Sequence, residues 1–314
     1  MIPKILHFCF GMTPDFGGKP WSLLHHVCVK SAVERITPSQ ALFYYQYEPT
    51  GPWWALTREL LTLTKITAPA TVFGNPVPHM AHRADIVRLE RLIEFGGIYL
   101  DCDVLVHRGV DELLSHSVVL GQEGTPDVQV GLCNAVILAE AQAPFLRRWY
   151  EEFRYFRSRG HDRYYNELSV KVPLRLAKEF PAEVTILPHV AFFWPTWHTG
   201  ELEKIYESVE PVVTPGTYAT HLWESNAWDR YLEDLTPGDV RSRDSNFCHW
   251  ARPLLAGLPD DYGAPGTVEG TVRRVKRLGR RTKTEARNRA RKLKAALLAG
   301  LGSPGARRTQ SPTS

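Results

Sequence analysis

His82-Arg83-Ala84-Asp85-Ile86-Val87-Arg88-Leu89-Glu90-Arg91-Leu92-Ile93-Glu94-Phe95 passes through Gly96-Gly97 into Ile98-Tyr99-Leu100 and ends in Asp101-Cys102-Asp103. Ile86, Val87, Leu89, Leu92 and Ile93 recur at helical spacing and predict a helix over 82–95. Asp85 and Arg88 are three residues apart, so they share a helix face. The glycine pair stops the helix and lets a short apolar strand start tightly against it. Strand alternation carried past Leu100 puts Tyr99, Asp101 and Asp103 on one side and Ile98, Leu100 and Cys102 on the other. Two carboxylates facing one space repel unless they are solvated, protonated or sharing a cation. At the carboxyl end of a strand they are a compact means of holding Mg²⁺ or Mn²⁺ against a diphosphate.

Outward from this stretch, strand and helix signals alternate. Ile2–Phe10, Ala41–Tyr47, Ala70–Phe73, Val118–Leu120, Asn134–Leu138, Val184–Leu187 and Tyr218–Leu222 read as strands. Trp21–Glu34, Trp53–Leu63 and Pro144–Arg157 read as helices, with a short helical turn at Asp111–Leu114. The pattern predicts an α/β fold with a mainly parallel central sheet flanked by helices. Its expected organisation is a catalytic domain over 1–255, a Gly/Pro-rich linker over 256–270, a basic helix over 271–299 and a disordered tail over 300–314.

The formal charge of +4 conceals two opposed regions. Residues 271–314 hold 14 Lys and Arg and the single acid Glu285, whereas residues 1–270 hold 24 basic and 33 acidic side chains. The apolar strip Val275, Leu278, Ala286, Ala290, Leu293 and Leu297 makes 272–298 a candidate for peripheral contact with an anionic membrane. A solvated basic appendage, or non-specific contact with nucleic acid, is the other reading of the same charge, though no nucleic-acid motif accompanies it. No apolar run approaches 18 residues, and the opening Met1–Phe8 reads as a first strand rather than a signal peptide. Five widely spaced cysteines without a C-x-x-C pair argue against a disulfide framework and for a reducing, cytoplasmic setting. Cys102 reads as small buried filler. No P-loop and no G-x-G-x-x-G is present, which removes ATPase and dinucleotide-binding readings.

The run from His82 to Leu92, the Gly96-Gly97 junction and Asp101-Cys102-Asp103 resemble the sugar-binding region of the D-x-D glycosyltransferases. These are GT-A-fold enzymes related to initiating mannosyltransferases, α-1,4-galactosyltransferases and bacterial capsule or toxin glucosyltransferases. The resemblance is dense over 79–106, present at Ile2–His7 and again near His221. It implies a metal-dependent, retaining transfer of a hexose from a nucleotide sugar, UDP-linked by expectation, to a glycan, lipid-linked or other hydroxyl acceptor. It further implies that Asp103 ligates Mn²⁺ or Mg²⁺, that Asp101 meets donor sugar and metal-bound water, and that Asp85 and Arg88 line the donor pocket. From the residues alone, the alternative reading makes Arg88 half of a structural helix pair with Asp85.

The late segment Thr220-His221-Leu222-Trp223-Glu224-Ser225-Asn226-Ala227-Trp228 resembles the one that completes the metal and diphosphate site. It nominates His221 as a ligand and Ser225 and Trp228 as phosphate or donor contacts. Asn134 corresponds to an active-site amide, and Tyr99 belongs with the donor-binding residues. Gln122 and Glu123 follow a β-prone stretch and are further candidates for the cleft. Where related enzymes carry a base-stacking Trp after the first strand, this chain has Phe8-Cys9-Phe10, so Phe8 or Phe10 takes that role. The residues nominate no carboxylate nucleophile, which favours front-face attack aided by a phosphate oxygen. Two other classes stay open: a sugar-nucleotide-binding protein without turnover, and a hydrolase using water as acceptor.

Overall fold

A computed structural model describes residues 1–125, 127–198 and 200–266. The compact unit runs from Met1 to Ala264. The basic helix and tail expected beyond 270 lie outside the described residues, and so does most of the second unit, which starts at Pro265. Residues 256–264, read as linker, belong to the compact unit: Tyr262 packs edge-on to Trp53, its hydroxyl donating to the Pro52 carbonyl at 3.0 Å.

Along the chain, strand β1 (Ile5–Cys9) leads to helix α1 (Leu23–Ile36) and β2 (Gln40–Tyr45). Helix α2 (Pro52–Arg58) is followed by β3 (Thr62–Lys65) and a small hairpin of β4 (Thr71–Val72) and β5 (Asn75–Pro76). Helix α3 (Met80–Phe95) then feeds β6 (Gly97–Leu100), β7 (Val104–Val106), β8 (Val118–Gly124) and β9 (Gln129–Ala139). Helices α4 (Pro144–Glu151) and α5 (Val172–Glu179) precede β10 (Thr185–Leu187) and β11 (Ala219–His221), after which the compact unit closes with short helices.

Seven strands form one sheet in the order β10-β8-β9-β6-β1-β2-β3. Pairing is parallel throughout except at β9, which runs antiparallel to both β6 and β8. This is a mainly parallel sheet flanked by helices, consistent with a GT-A type fold. Both faces are covered, as parallel sheets require. Leu6, Phe8, Ile98 and Leu100 face one core with α1 and α2, while Cys9, Tyr99 and the α3 residues Ile86, Leu89 and Leu92 face the other.

Two departures from the expected elements have local causes. The helix expected over 53–63 ends at Arg58, because Thr62–Lys65 pairs in parallel with Leu42–Tyr45 as the edge strand of the sheet. The long helix expected over 144–157 gives way after Glu151 to a 3₁₀ turn over Glu152–Tyr155. Around the quoted stretch the glycines are required by space and backbone. Gly96 and Gly97 take φ of +65° and +119°, and a Cβ on Gly97 would lie 2.6 Å from the Ile5 carbonyl oxygen.

Candidate active site

Strand β6 stops at Leu100, so alternation does not bring the two acids together; a turn does. The Asp101 amide donates to the Ala135 carbonyl at 2.8 Å, and the Val104 amide returns to the Asp101 carbonyl at 3.1 Å. β7 then pairs antiparallel with β11, and its first residue, Val104, stands opposite His221. That register carries His221 to Asp103, with Nε2 and Oδ1 3.2 Å apart. Trp223 follows in the left-handed region at φ +54°, an uncommon conformation for a bulky residue. Beyond this bend the Glu224 amide donates to Asp103 Oδ2 at 2.8 Å.

One ligand atom each from Asp101, Asp103 and His221 lies within 4.8 Å of the others. His221 is 9% exposed, and its Nδ1 has no hydrogen-bond partner among the described residues. Nε2 of His221, turned to Asp103 with Asp101 nearby, adds one imidazole nitrogen to two carboxylates, a ligand set that suits a divalent cation. The 3.2 Å separation is one that a hydrogen bond shares with two ligands cis on a small cation, which are roughly 3 Å apart in octahedral geometry. Burial raises the pKa of Asp103, but the His221 charge, its hydrogen bond and the Glu224 amide outweigh it and hold the carboxyl well below the usual range. Burial also dominates at Asp101, where it and the Asp103 charge outweigh Arg88 and push the carboxyl up. His221 is pulled down by burial and raised further by Asp103, for a net upward shift. Both upward shifts favour the protonated forms of Asp101 and His221 where no cation is bound.

The facing side comes from α3 and β9. Arg88, 5% exposed, donates from one terminal nitrogen to the Asn134 carbonyl at 2.7 Å and places the other 3.1 Å from Asp101 and 3.3 Å from Asp85. Its guanidinium lies 4.4 Å from the centre of the Tyr99 ring. Asp85 accepts the Asn134 side-chain amide at 2.7 Å and faces His82 Nδ1 at 3.2 Å, and the other nitrogen of His82 lies 3.0 Å from the Ser158 hydroxyl. Burial raises the Asp85 pKa, but Arg88, His82 and Asn134 together bring it below the ordinary value. The pairing and pocket readings of Arg88 both describe its position: it is paired with Asp85 and it lines the cavity.

The two sides enclose a cavity of about 430 Å³, within the usual size of small-ligand sites. Of the residues singled out in the sequence, Phe10, Asp85, Arg88, Asp101, Asp103, Asn134, His221, Ser225 and Glu123 line it. Phe8, Tyr99, Trp228 and Gln122 are not in its lining. Phe8, expected as a base-stacking candidate, is 1% exposed in the α1-side core, because alternation along β1 turns it inward. Trp228, expected at the donor, is packed in the same core. Tyr99 is buried behind the site and acts through its hydroxyl, which donates to Asp101 at 2.8 Å. Phe10 remains as the aromatic of that pair in the cavity, braced by Phe16, Trp21 and His25.

His25, Trp197, Trp223 and Glu224 were not singled out, yet all line the cavity. The Ser22 amide donates to His25 Nδ1, and His25 Nε2 lies 3.0 Å from Glu224; Lys19 is 3.1 Å from the Ser225 hydroxyl and 3.6 Å from Glu224. These contacts join segments some 200 residues apart, so no local spacing announces them. Trp223 and Glu224 sit inside the late segment and carried the only available signal.

The family described as glycosyltransferase sugar-binding region containing DXD motif matches residues 53–120. The chain is 36% identical over 271 residues to Glucan organizing enzyme 1 of Cryptococcus neoformans var. grubii, spanning 83% of this chain and 73% of that protein. Among solved structures, galactosyltransferase LgtC in complex with donor and acceptor sugar analogs is 13% identical, with 82% of this chain and 98% of that chain covered and a TM-score of 0.41. Mouse xyloside xylosyltransferase 1 in its apo form is 15% identical, covering 69% and 96% with a TM-score of 0.39. Both structural likenesses are distant. The family match includes the Asp101–Asp103 turn and the helix that faces it, and the relative extends the likeness over most of the chain. The chain belongs to the glycosyltransferases whose sugar-binding region contains a DXD motif.

Proposed function

We propose that the protein transfers a hexose from a UDP-linked donor to a hydroxyl of a glycan or lipid-linked acceptor, with retention at the anomeric carbon. The observation that carries this reading is one cavity with an acidic, incompletely bonded Asp101–Asp103–His221 cluster on one side and a saturated Asp85–Arg88–Asn134 cluster on the other. Asp103, Asp101 and His221 would hold the cation, Mn²⁺ or Mg²⁺. When bound, such a cation neutralises charge on the diphosphate as the nucleotide departs.

The remaining work falls to the chain's own groups. Arg88 is fixed by four partners, so its charge is preorganised and costs no reorganisation when negative charge grows nearby. Asp85 and Asn134 present a carboxylate and an amide positioned for sugar hydroxyls. Phe10 offers an aromatic face for the base. Trp223, buried against His221 with ring centroids 4.0 Å apart, restricts water around that ligand. The acceptor hydroxyl enters on the face the leaving group vacates and yields its proton to a phosphate oxygen of that group.

The name of the fungal relative makes a glucan the first acceptor to test. Five free, buried thiols support a reducing, cytoplasmic setting, and the basic charge of 272–298 supports peripheral contact with anionic lipid. The test is a panel of UDP- and GDP-sugars with Mn²⁺ or Mg²⁺, scored by release of nucleoside diphosphate with and without acceptor. UDP-hexoses are expected to turn over, faster with an acceptor. Indifference to every donor contradicts the reading; turnover that no acceptor accelerates makes the protein a hydrolase.

A further inference from the structure

Glu123 is a charged group in the cavity to which the transfer described above gives no role. It is 4% exposed, lines the cavity and, among the described residues, makes no ion pair. Its Oε1 accepts the indole N–H of Trp197 at 3.2 Å. This donor is neutral. A buried carboxylate with only neutral donors is incompletely compensated and gains from further hydroxyl donors.

Its placement is specific. Strand β8 breaks register between Leu120 and Gly121 and again between Glu123 and Gly124, so Glu123 sits between two irregularities of the kind that re-aim side chains next to sites. Opposite it on β9 stands Gly131, against which Val170 packs so closely that a Cβ would lie 2.4 Å from the Val170 carbonyl oxygen. Trp197 is held in a segment tied to the metal-ligand strand: the His221 amide donates to the Phe192 carbonyl at 2.9 Å, and the Trp223 indole donates to the Pro195 carbonyl at 2.8 Å. His198 stacks on the Trp197 ring at 4.0 Å and is steadied by a 3.0 Å contact with the Thr196 hydroxyl. A braced indole beside a carboxylate in the cavity wall offers an apolar face and a two-oxygen acceptor, which matches the C–H face and adjacent hydroxyls of a pyranose.

We propose that Glu123 and Trp197 form a pyranose subsite, in which the carboxylate accepts hydrogen bonds from ring hydroxyls and the indole covers the C–H face. This deepens the transferase reading and rests on it for the sugar being a reaction partner. The chemistry is the same whether the ring belongs to the donor or to the acceptor, so the test has two arms on the full chain. In the first, without donor or cation, laminaritriose, cellotriose and maltotriose are titrated calorimetrically into wild type, Glu123→Gln and Trp197→Phe. In the second, KM for UDP-glucose with Mn²⁺ is measured with water as acceptor, and KM for the trisaccharides in transfer.

An acceptor subsite predicts that a trisaccharide binds wild type and binds each variant about tenfold more weakly, with KM for UDP-glucose unchanged. A donor subsite predicts the rise in KM for UDP-glucose instead. Either outcome supports the subsite, provided melting temperatures are preserved; Trp197→Phe keeps the test open should Glu123→Gln fail to fold. Equal affinities and equal KM values in wild type and both variants overturn it, and so does a wild type that binds no trisaccharide and whose KM for UDP-glucose the variants leave unmoved. Absence of any turnover by wild type overturns the transferase reading, while the first arm still decides the subsite.

Discussion

On the α3 side of the cavity, charge is settled within the protein: Asp85 has Arg88, Asn134 and His82, and Arg88 has Asp85, Asp101 and the Asn134 carbonyl. On the opposite side, built from the turn after β6 and the end of β11, two half-buried acids stand beside a buried histidine whose Nδ1 has no hydrogen-bond partner among the described residues. The residue types are nearly the same. The first side is a finished network, which adds rigidity and a fixed field. In the second, Asp101 and His221 are shifted toward their protonated forms and three ligand-type atoms face one space, as in a site that takes up a cation. Substitutions on the two sides should therefore separate: one set affects function with little loss of stability, the other affects both.

The largest effect is expected at Asp103. Asp103→Asn removes a charge from the cation cluster and should lower kcat on the order of 10³-fold, while the melting temperature moves by only a few degrees. Sugar-nucleotide turnover with parallel calorimetry checks it; a collapse of stability would erase the distinction between the two sides. Arg88→Met is expected to lose activity and about 3–5 kcal/mol of stability, because it leaves buried Asp85 and half-buried Asp101 without their cation. Denaturant titration measures this, and an unaltered midpoint would mean that the α3 network is not the framework described.

The pH dependence sharpens the same contrast. In the cation-free protein the net shift of His221 is upward, so its contribution to stability is complete below its unfolded value near 6.5 and is lost as pH rises through the folded value. Asp101 is likewise raised and must lose its proton to serve as a ligand. A cation competes with both protons, so the rise in melting temperature produced by Mn²⁺ should grow from pH 5.5 to 8. A Mn²⁺ effect that is flat across this range, or that shrinks, would contradict the assignment. Tyr99→Phe is the smallest change: it removes one donor to Asp101, which should cost about 1 kcal/mol and alter activity by no more than a few-fold.

What was legible in the sequence is what short-range pattern encodes. The α3 stripe, the Gly96-Gly97 junction and the Asp101–Asp103 pair are contiguous, and the cavity is built around them. Asp85, Arg88, Asn134 and His221 also line it. The route by which the acids meet was not legible, because a turn and not strand alternation brings them together. Phe8 and Trp228 show the limit for aromatic residues. Both have the chemistry of ligand contacts, but side-chain direction along β1 and packing near the C-terminal helices place them in the core. His25, Lys19 and Trp197 reach the site or its edge only through contacts between distant segments, which no window of sequence contains.

The central claim is that one divalent cation belongs on the unfinished side of the cavity. Mn²⁺ binding followed by electron paramagnetic resonance, with UDP present, tests it on wild type, Asp103→Asn and Asp85→Asn. The expected result is one bound ion in wild type and in Asp85→Asn, and none at the same concentration in Asp103→Asn. Binding that survives Asp103→Asn, or that is lost only in Asp85→Asn, would place the ion elsewhere and contradict the account.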